Sequence, residues 1–232
     1  KDEIMAYDIA WEPWWGGETQ RIMRHGKDWV RWVEERYGSR EAAAREWDFA
    51  PDHLEEFPSN DQLRYDGPWR DAVAAYRNFV RETLQKAYGE ARDHLRRLDP
   101  NHLVSFRQSE GANPLADPAY YPIPLECIAE AGDFFSPEAY GIGDSARSAR
   151  TMLFAAAYGQ GLAPGKPMIW AEYGKSVWSG NAFAPQEPLL RKQAQVYRNV
   201  LEYAQQSRAA GTVAWWFAGG CRRYEDSDYG VV

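Results

Sequence analysis

Apolar residues fall into five short runs, at 4–10, 102–106, 133–136, 167–171 and 212–217. Each has the length and β-branched or aromatic character of a strand. Between them lie stretches with apolar steps of three or four, the period of a helix with one buried face. The clearest is 69–98, where Trp69, Val73, Tyr76, Val80, Leu84, Ala87, Ala91, Leu95 and Leu98 form one stripe. Asp99-Pro100 ends it, because proline disfavours a helical residue before it. Further helices are predicted over 40–47, 125–131 and 146–158, and along the stripe Leu190, Ala194, Tyr197, Leu201 and Ala204.

Strands alternating with long helices imply parallel pairing, since a parallel neighbour needs a crossover connection. Ala10-Trp11-Glu12-Pro13 follows the first strand where a dinucleotide fold would place its glycine fingerprint. A Walker phosphate loop is missing too. The expected class is therefore α/β, a (β/α)8 barrel rather than an open doubly wound sheet. The segment 16–68 interrupts the alternation. It reads as an inserted subdomain with a helix at 27–37, the helix at 40–47, and then a Pro- and Asp-rich loop. Trp29 and Trp32 at helical spacing suit the core of such a subdomain. Its place directly after Glu12 would let it wall a cleft and set the length of substrate accepted.

Composition narrows the function. Hydrophobic residues make up 44% of the 232 and charged residues 26%, as in a folded globular chain. No run approaches about 18 apolar residues, so no membrane-spanning helix is expected. Residues 1–7 lack the basic-then-apolar layout of a signal peptide. The net charge of −7, with no Lys/Arg block, argues against nucleic acid or an anionic membrane as partner. Cys127 and Cys221 are too few for a disulfide scaffold, although they could pair. The four histidines show no metal-ligand spacing, and Asp226-Ser227-Asp228 reads as a solvated loop. No cofactor is implied. Eleven Trp and fourteen Tyr are a heavy aromatic load. Exposed indoles such as those of the Trp11, Trp14, Trp15 cluster suit the C–H faces of sugars. That points to a polysaccharide and an extracellular or periplasmic setting.

Polar and aromatic residues sit at every strand exit: Trp11-Glu12, Arg107 to Glu110, Glu138 with Tyr140, Glu172-Tyr173, and Trp215-Trp216. In a parallel barrel these ends share one face, where active sites form. Glu12 and Glu172 each directly end an apolar strand. A carboxylate there is costly to desolvate unless it has partners or a task.

Several segments resemble the clan A retaining glycoside hydrolases, in a family 5-like TIM barrel. Tyr7-Asp8-Ile9-Ala10-Trp11-Glu12-Pro13 is similar to their strand-four pattern D-x-x-N-E-P, with Trp11 in place of Asn. Leu98 to Val104 is similar to the approach to strand five. Ser136-Pro137-Glu138-Ala139-Tyr140 resembles strand six, with Glu138 where His is usual. Lys166 to Gly174 resembles strand seven, P-x-x-x-x-E-[FY]-G, and Gly211 to Trp216 resembles strand eight. The resemblance implies a β-glycoside hydrolase with Glu12 as acid/base and Glu172 as nucleophile. Tyr140 would bond the nucleophile, and Trp215 would floor the subsite of the reacting sugar. Trp11, Trp14, Trp216, Glu138 and Arg107 would complete the substrate-binding set. Keeping Glu172 ionised calls for donors such as Tyr140 or Arg107. Strands one to three have no counterpart here, nor does the strand-two Arg that usually supports the nucleophile. The chain then reads as a single catalytic barrel portion whose missing strands come from the rest of the polypeptide. Trp11 and Glu138 also fit an alternative, a catalytically impaired carbohydrate-binding protein on the same fold. A purely structural α/β domain would instead require the two glutamates to lie apart or be tied up by Arg.

Overall fold

The computed structural model describes residues 4–10, 18–51, 57–108, 125–141, 145–178, 185–220 and 227–231, without the side chains of 18–23 and 146–149. Strand β1 (Ala6–Asp8) pairs in parallel with β2 (Leu103–Ser105), setting Asp8 beside Ser105. Phe106 interrupts that line, and β3 (Arg107–Gln108) continues it to pair in parallel with β4 (Ser136–Pro137). Parallel bridges Phe135–Met168 and Glu138–Glu172 join β4 to β5 (Ile169–Tyr173). Strand β5 in turn pairs in parallel with β6 (Gly211–Ala214). All pairings are parallel and run in chain order, as crossover connections dictate. The described residues form an open ribbon and no closed barrel.

Helices make the crossovers. After β1 come α1 (Glu18–Tyr37), α2 (Arg40–Trp47), α3 (Asn60–Arg64) and α4 (Arg70–Leu98). Single helices α5 (Leu125–Ala131), α6 (Ala146–Leu162) and α7 (Glu187–Gln206) connect the later strands. Neighbours α4, α5, α6 and α7 pack side by side. Among the described residues no helix is long and apolar enough to cross a membrane.

Local chemistry accounts for the boundaries. Helix α1 stops at Gly38, whose N–H still donates to the Glu34 carbonyl at 2.9 Å while its φ of +86° turns the following chain out of the helix. Ser39 then caps α2 by accepting from the Ala42 N–H at 3.1 Å. Helix α3 lies where the sequence reads as loop. A capping box forms it: Ser59 Oγ accepts from the Gln62 N–H, and Gln62 Oε1 accepts from the Ser59 N–H. At about 1.5 Å per residue, α4 is roughly 43 Å long and serves two cores. Its first half (Ala72, Tyr76, Phe79) closes an aromatic core with Trp29 and Trp47. Its second half covers the sheet, where Tyr88 stacks on Phe106 at 4.1 Å. The stripe is corrected here. Tyr88 rather than Ala87 faces the core, because a step of four from Leu84 satisfies the helical period as well as a step of three does. Leu98, in the last turn, is exposed.

Another expectation fails at the far end of the chain. Ser227 and Asp228 are buried rather than solvated. Asp228 Oδ1 accepts from the N–H groups of Gly220 (3.2 Å) and Gly230 (3.1 Å), so the carboxylate satisfies a turn instead of facing water. Cys127 is a buried free thiol, pushed up to about 12 by its burial, and it donates to the Arg81 carbonyl. Cys221 lies outside the described residues.

Candidate active site

Alternation along the strands decides which side chains meet. Phe106 stacks on Tyr88 of α4, so it faces the helices. Its neighbours Ser105 and Arg107 therefore turn to the opposite face. Tyr173 likewise packs on Tyr197 of α7 at 5.1 Å, which sends Glu172 to that same face. Ser136 and Glu138, two apart, follow on the adjacent strand, and Asp8 lies beside Ser105 on the other flank. The inner face is thus polar toward the C-terminal ends of the strands. The outer face is apolar beneath the helices.

Glu172 lies at the middle of this polar layer and is 4% exposed. Tyr140 O–H donates to its Oε1 at 2.6 Å, and Arg107 Nη1 donates to its Oε2 at 2.7 Å. Short charge-assisted bonds of this kind are about twice as strong as neutral ones. Arg107 is shared: its Nε donates to Asp8 Oδ2 at 3.0 Å. Asp8 Oδ1 accepts from Ser136 Oγ at 3.0 Å, and Ser136 touches Ser105 Oγ at 2.9 Å. One hydrogen-bonded network therefore joins four strand lines through side chains alone.

Burial is the chief cause of the electrostatic shifts. It pushes the Asp8 carboxyl above its ordinary value, with Arg107 and then Ser136 pulling back. It also raises the Tyr140 hydroxyl strongly, and the bond to Glu172 raises it further, so Tyr140 remains a donor. For Arg107 burial works against the charge. The carboxylates of Asp8, Glu172 and Glu138 nonetheless hold the guanidinium above its usual value.

The other sequence candidates divide clearly. Glu138 is 1% exposed and bridges to Glu172 on the neighbouring strand, with its N–H on the Gln108 carbonyl at 2.9 Å. Trp215 follows β6, and its N–H donates to the Tyr173 carbonyl at 2.7 Å. Its ring lies 5.0 Å from that of Trp216, and both are half-buried beside the Glu172 strand. Glu12, Trp11 and Trp14 lie outside the described residues, which resume the site's flank only as far as Ala10. There the Ala10 carbonyl accepts from the Arg107 N–H at 3.0 Å. Among the described residues no cluster of three or more potential metal ligands exists.

Asp8 and Ser136 carry no assigned role in the sequence reading. The signal that could find them is the period-two polar pattern Ser105/Arg107 and Ser136/Glu138 inside otherwise apolar strands. An arginine does reach Glu172, but it is Arg107, from the strand after α4.

No family model matches this sequence, and no curated protein matches it. Solved structures share its fold. The apo exo-carrageenase GH42 from Bacteroides ovatus aligns over 96% of this chain with a TM-score of 0.60 at 13% identity. An exo-beta-agarase aligns over 88% with a TM-score of 0.56 at 15% identity. A beta-galactosidase from Bacillus circulans sp. alkalophilus aligns over 89% with a TM-score of 0.55 at 19% identity. The chain spans 32%, 27% and 30% of the lengths of those three chains, respectively. The likeness shows the fold alone: this chain is built like part of a TIM barrel.

Proposed function

We propose that this chain carries the catalytic carboxylates of a retaining β-glycoside hydrolase acting on a β-linked oligo- or polysaccharide. The observation that carries the reading is the Glu172 carboxylate, buried at a strand end with one oxygen on Tyr140 and the other on Arg107. Donors to both oxygens favour the ionised form and fix its orientation, which a nucleophile requires. In this reading Glu172 attacks the anomeric carbon and forms a covalent glycosyl-enzyme. Glu12 protonates the departing oxygen, then deprotonates the water that releases the sugar with retained configuration. The reaction needs the two carboxyl groups roughly 5–5.5 Å apart. Trp215 and Trp216, beside the Glu172 strand, supply apolar ring faces for the sugar, with Trp11 and Trp14 on the Glu12 side. The remaining barrel strands come from the rest of the polypeptide in this proposal, and the open parallel ribbon supports that.

The test is trapping with 2-deoxy-2-fluoro β-glycosides, which stall the covalent intermediate. A mass increase on the peptide bearing Glu172, and loss of turnover by several orders of magnitude in Glu172→Gln and Glu12→Gln, is the expected result. Labelling elsewhere, or near-normal turnover in either variant, overturns the assignment.

One observation favours a second reading. The carboxyl groups of Asp8, Glu138 and Glu172 all act on the guanidinium of Arg107, more acidic groups than a single nucleophile needs. A carbohydrate-binding protein without turnover accommodates that. Calorimetric binding of oligosaccharides with no trapping and no product would select it.

A further inference from the structure

Resting on the assignment of Glu172 as nucleophile, we infer that Tyr229 is a positioning residue of the same site, acting through Tyr140. Tyr229 meets Tyr140 edge-on, with ring centroids 6.0 Å apart and planes at 78°. Tyr140 is the residue whose hydroxyl bonds Glu172 Oε1. The T-shaped contact restrains the Tyr140 ring, whose hydroxyl makes that bond.

The segment that delivers Tyr229 is anchored just past the Glu172 strand, just past its neighbour β6, and on α7. Asp228 accepts from the Val177 N–H at 2.7 Å through its carbonyl, and its N–H donates to Ser176 Oγ at 3.1 Å. Both partners lie just past β5. The Val231 N–H donates to the Phe217 carbonyl at 3.1 Å, just past β6. From α7, Gln193 Nε2 lies 3.1 Å from the carbonyls of Tyr229 and Gly230. Gly174, two residues beyond Glu172, makes room for the ring. A Cβ there would stand 2.9 Å from Tyr229 Cδ1 and 2.2 Å from the Trp215 carbonyl oxygen. The segment is thus held tightly, and a tightly held aromatic ring against Tyr140 limits how the donor can move.

The experiment reads the ionisation of Glu172 directly, by carbon-13 NMR on carboxyl-labelled glutamate, with Glu172→Gln identifying its signal. Donation from Tyr140 favours the carboxylate, so loosening Tyr140 must raise the titration midpoint of Glu172. Tyr229→Ala should raise it by about half a pH unit or more. Tyr229→Phe, which keeps the ring edge on Tyr140, should leave it within about 0.2 unit of wild type. Tyr229→Leu serves where the alanine variant does not fold, with the same expected rise. A midpoint unmoved in both Tyr229→Ala and Tyr229→Leu overturns the inference, as does an equal rise in Tyr229→Phe. Loss of the hydrolase reading would show itself differently. Fluoroglycosides would then fail to label wild-type protein, whatever the titration of Glu172 does.

Discussion

Arg107 binds two carboxylates from different strands, Asp8 through Nε at 3.0 Å and Glu172 through Nη1 at 2.7 Å. The planar fork of a guanidinium can do this, whereas a lysine ammonium offers one point of charge. Replacing Arg107 by Met leaves both carboxylates without their shared cation. Glu172 is nearly dry and Asp8 partly so. Such a loss typically costs about 3–5 kcal/mol, and partial exposure of Arg107 and Asp8 puts the expected value toward the lower end. Urea unfolding measures it. Arg107→Lys should recover less than half of the loss, and full recovery would show that charge alone, without the fork, is sufficient.

Tyr140→Phe removes one donor from Glu172 and little else. A hydrogen bond to a charged group contributes about 1.5–3 kcal/mol. If it is made fully in the reacting complex, that corresponds to roughly a 10- to 150-fold fall in kcat/KM. The pH–rate profile carries a second sign. In the proposed reading Glu172 is the nucleophile, and without this donor it ionises less readily, so the acidic limb should move to higher pH. An acidic limb in its original place would show that the Tyr140 bond does not stabilise the ionised nucleophile.

How much of this is legible from residues alone varies by element. The strands and helix α5 are readable because apolar runs and helical periods are local. Helix α2 is readable for the same reason, with Ser39 and its cap as punctuation. Arg107 and Tyr140 are readable as possible donors to Glu172, since an ionised buried carboxylate needs some donor nearby. The link from Arg107 back to Asp8, and on through Ser136 to Ser105, is not. It depends on register between strands distant in sequence, and Phe106 breaks the second strand line just where Arg107 begins. The Ser227–Asp228 turn misleads for a related reason. Its polar residues look solvent-facing, but their partners at Ser176 and Gly220 are fixed only once β5 and β6 pair.

The inserted helices have a core of their own, and Trp29 is its centre. Its ring lies 5.5 Å from Trp32 and 6.1 Å from Trp47 in stacked geometry, with Tyr76 of α4 edge-on at 5.8 Å. Truncation to alanine removes all three contacts and leaves a cavity, which typically costs about 3–5 kcal/mol. The denaturation midpoint of Trp29→Ala should fall accordingly. A change under about 1 kcal/mol would mean the surroundings collapse around the gap. Among the described residues this core and the core beneath the Glu172 strand are separate buried clusters. The Glu172 titration should therefore be unchanged in this variant, which separates subdomain stability from the site.

At the opposite end of the sheet, Asp99 caps α4 and accepts from Tyr7 O–H at 2.9 Å, with His102 Nδ1 at 2.8 Å from the same oxygen. The bond to His102 is the main reason its carboxyl is held at about 2, below the ordinary 3.8. A folded-state value below the unfolded one means the native protein binds fewer protons in that interval. Ionised Asp99 therefore stabilises the fold fully above the ordinary carboxylate value, and the contribution is lost as pH falls through the interval down to about 2. Asp8 acts in the other direction. Its raised value makes stability fall as pH climbs from the ordinary carboxylate value to the raised one. Both proteins in a comparison of wild type with Asp99→Asn keep Asp8, so it drops out of the difference. Unfolding free energies measured from about pH 6 down to about pH 2 should show wild type ahead at the upper end, with the gap closing below about pH 4. A gap that stays constant over the whole range would mean that Asp99 contributes shape and not charge, and that its bonds to Tyr7 and His102 do not depend on ionisation.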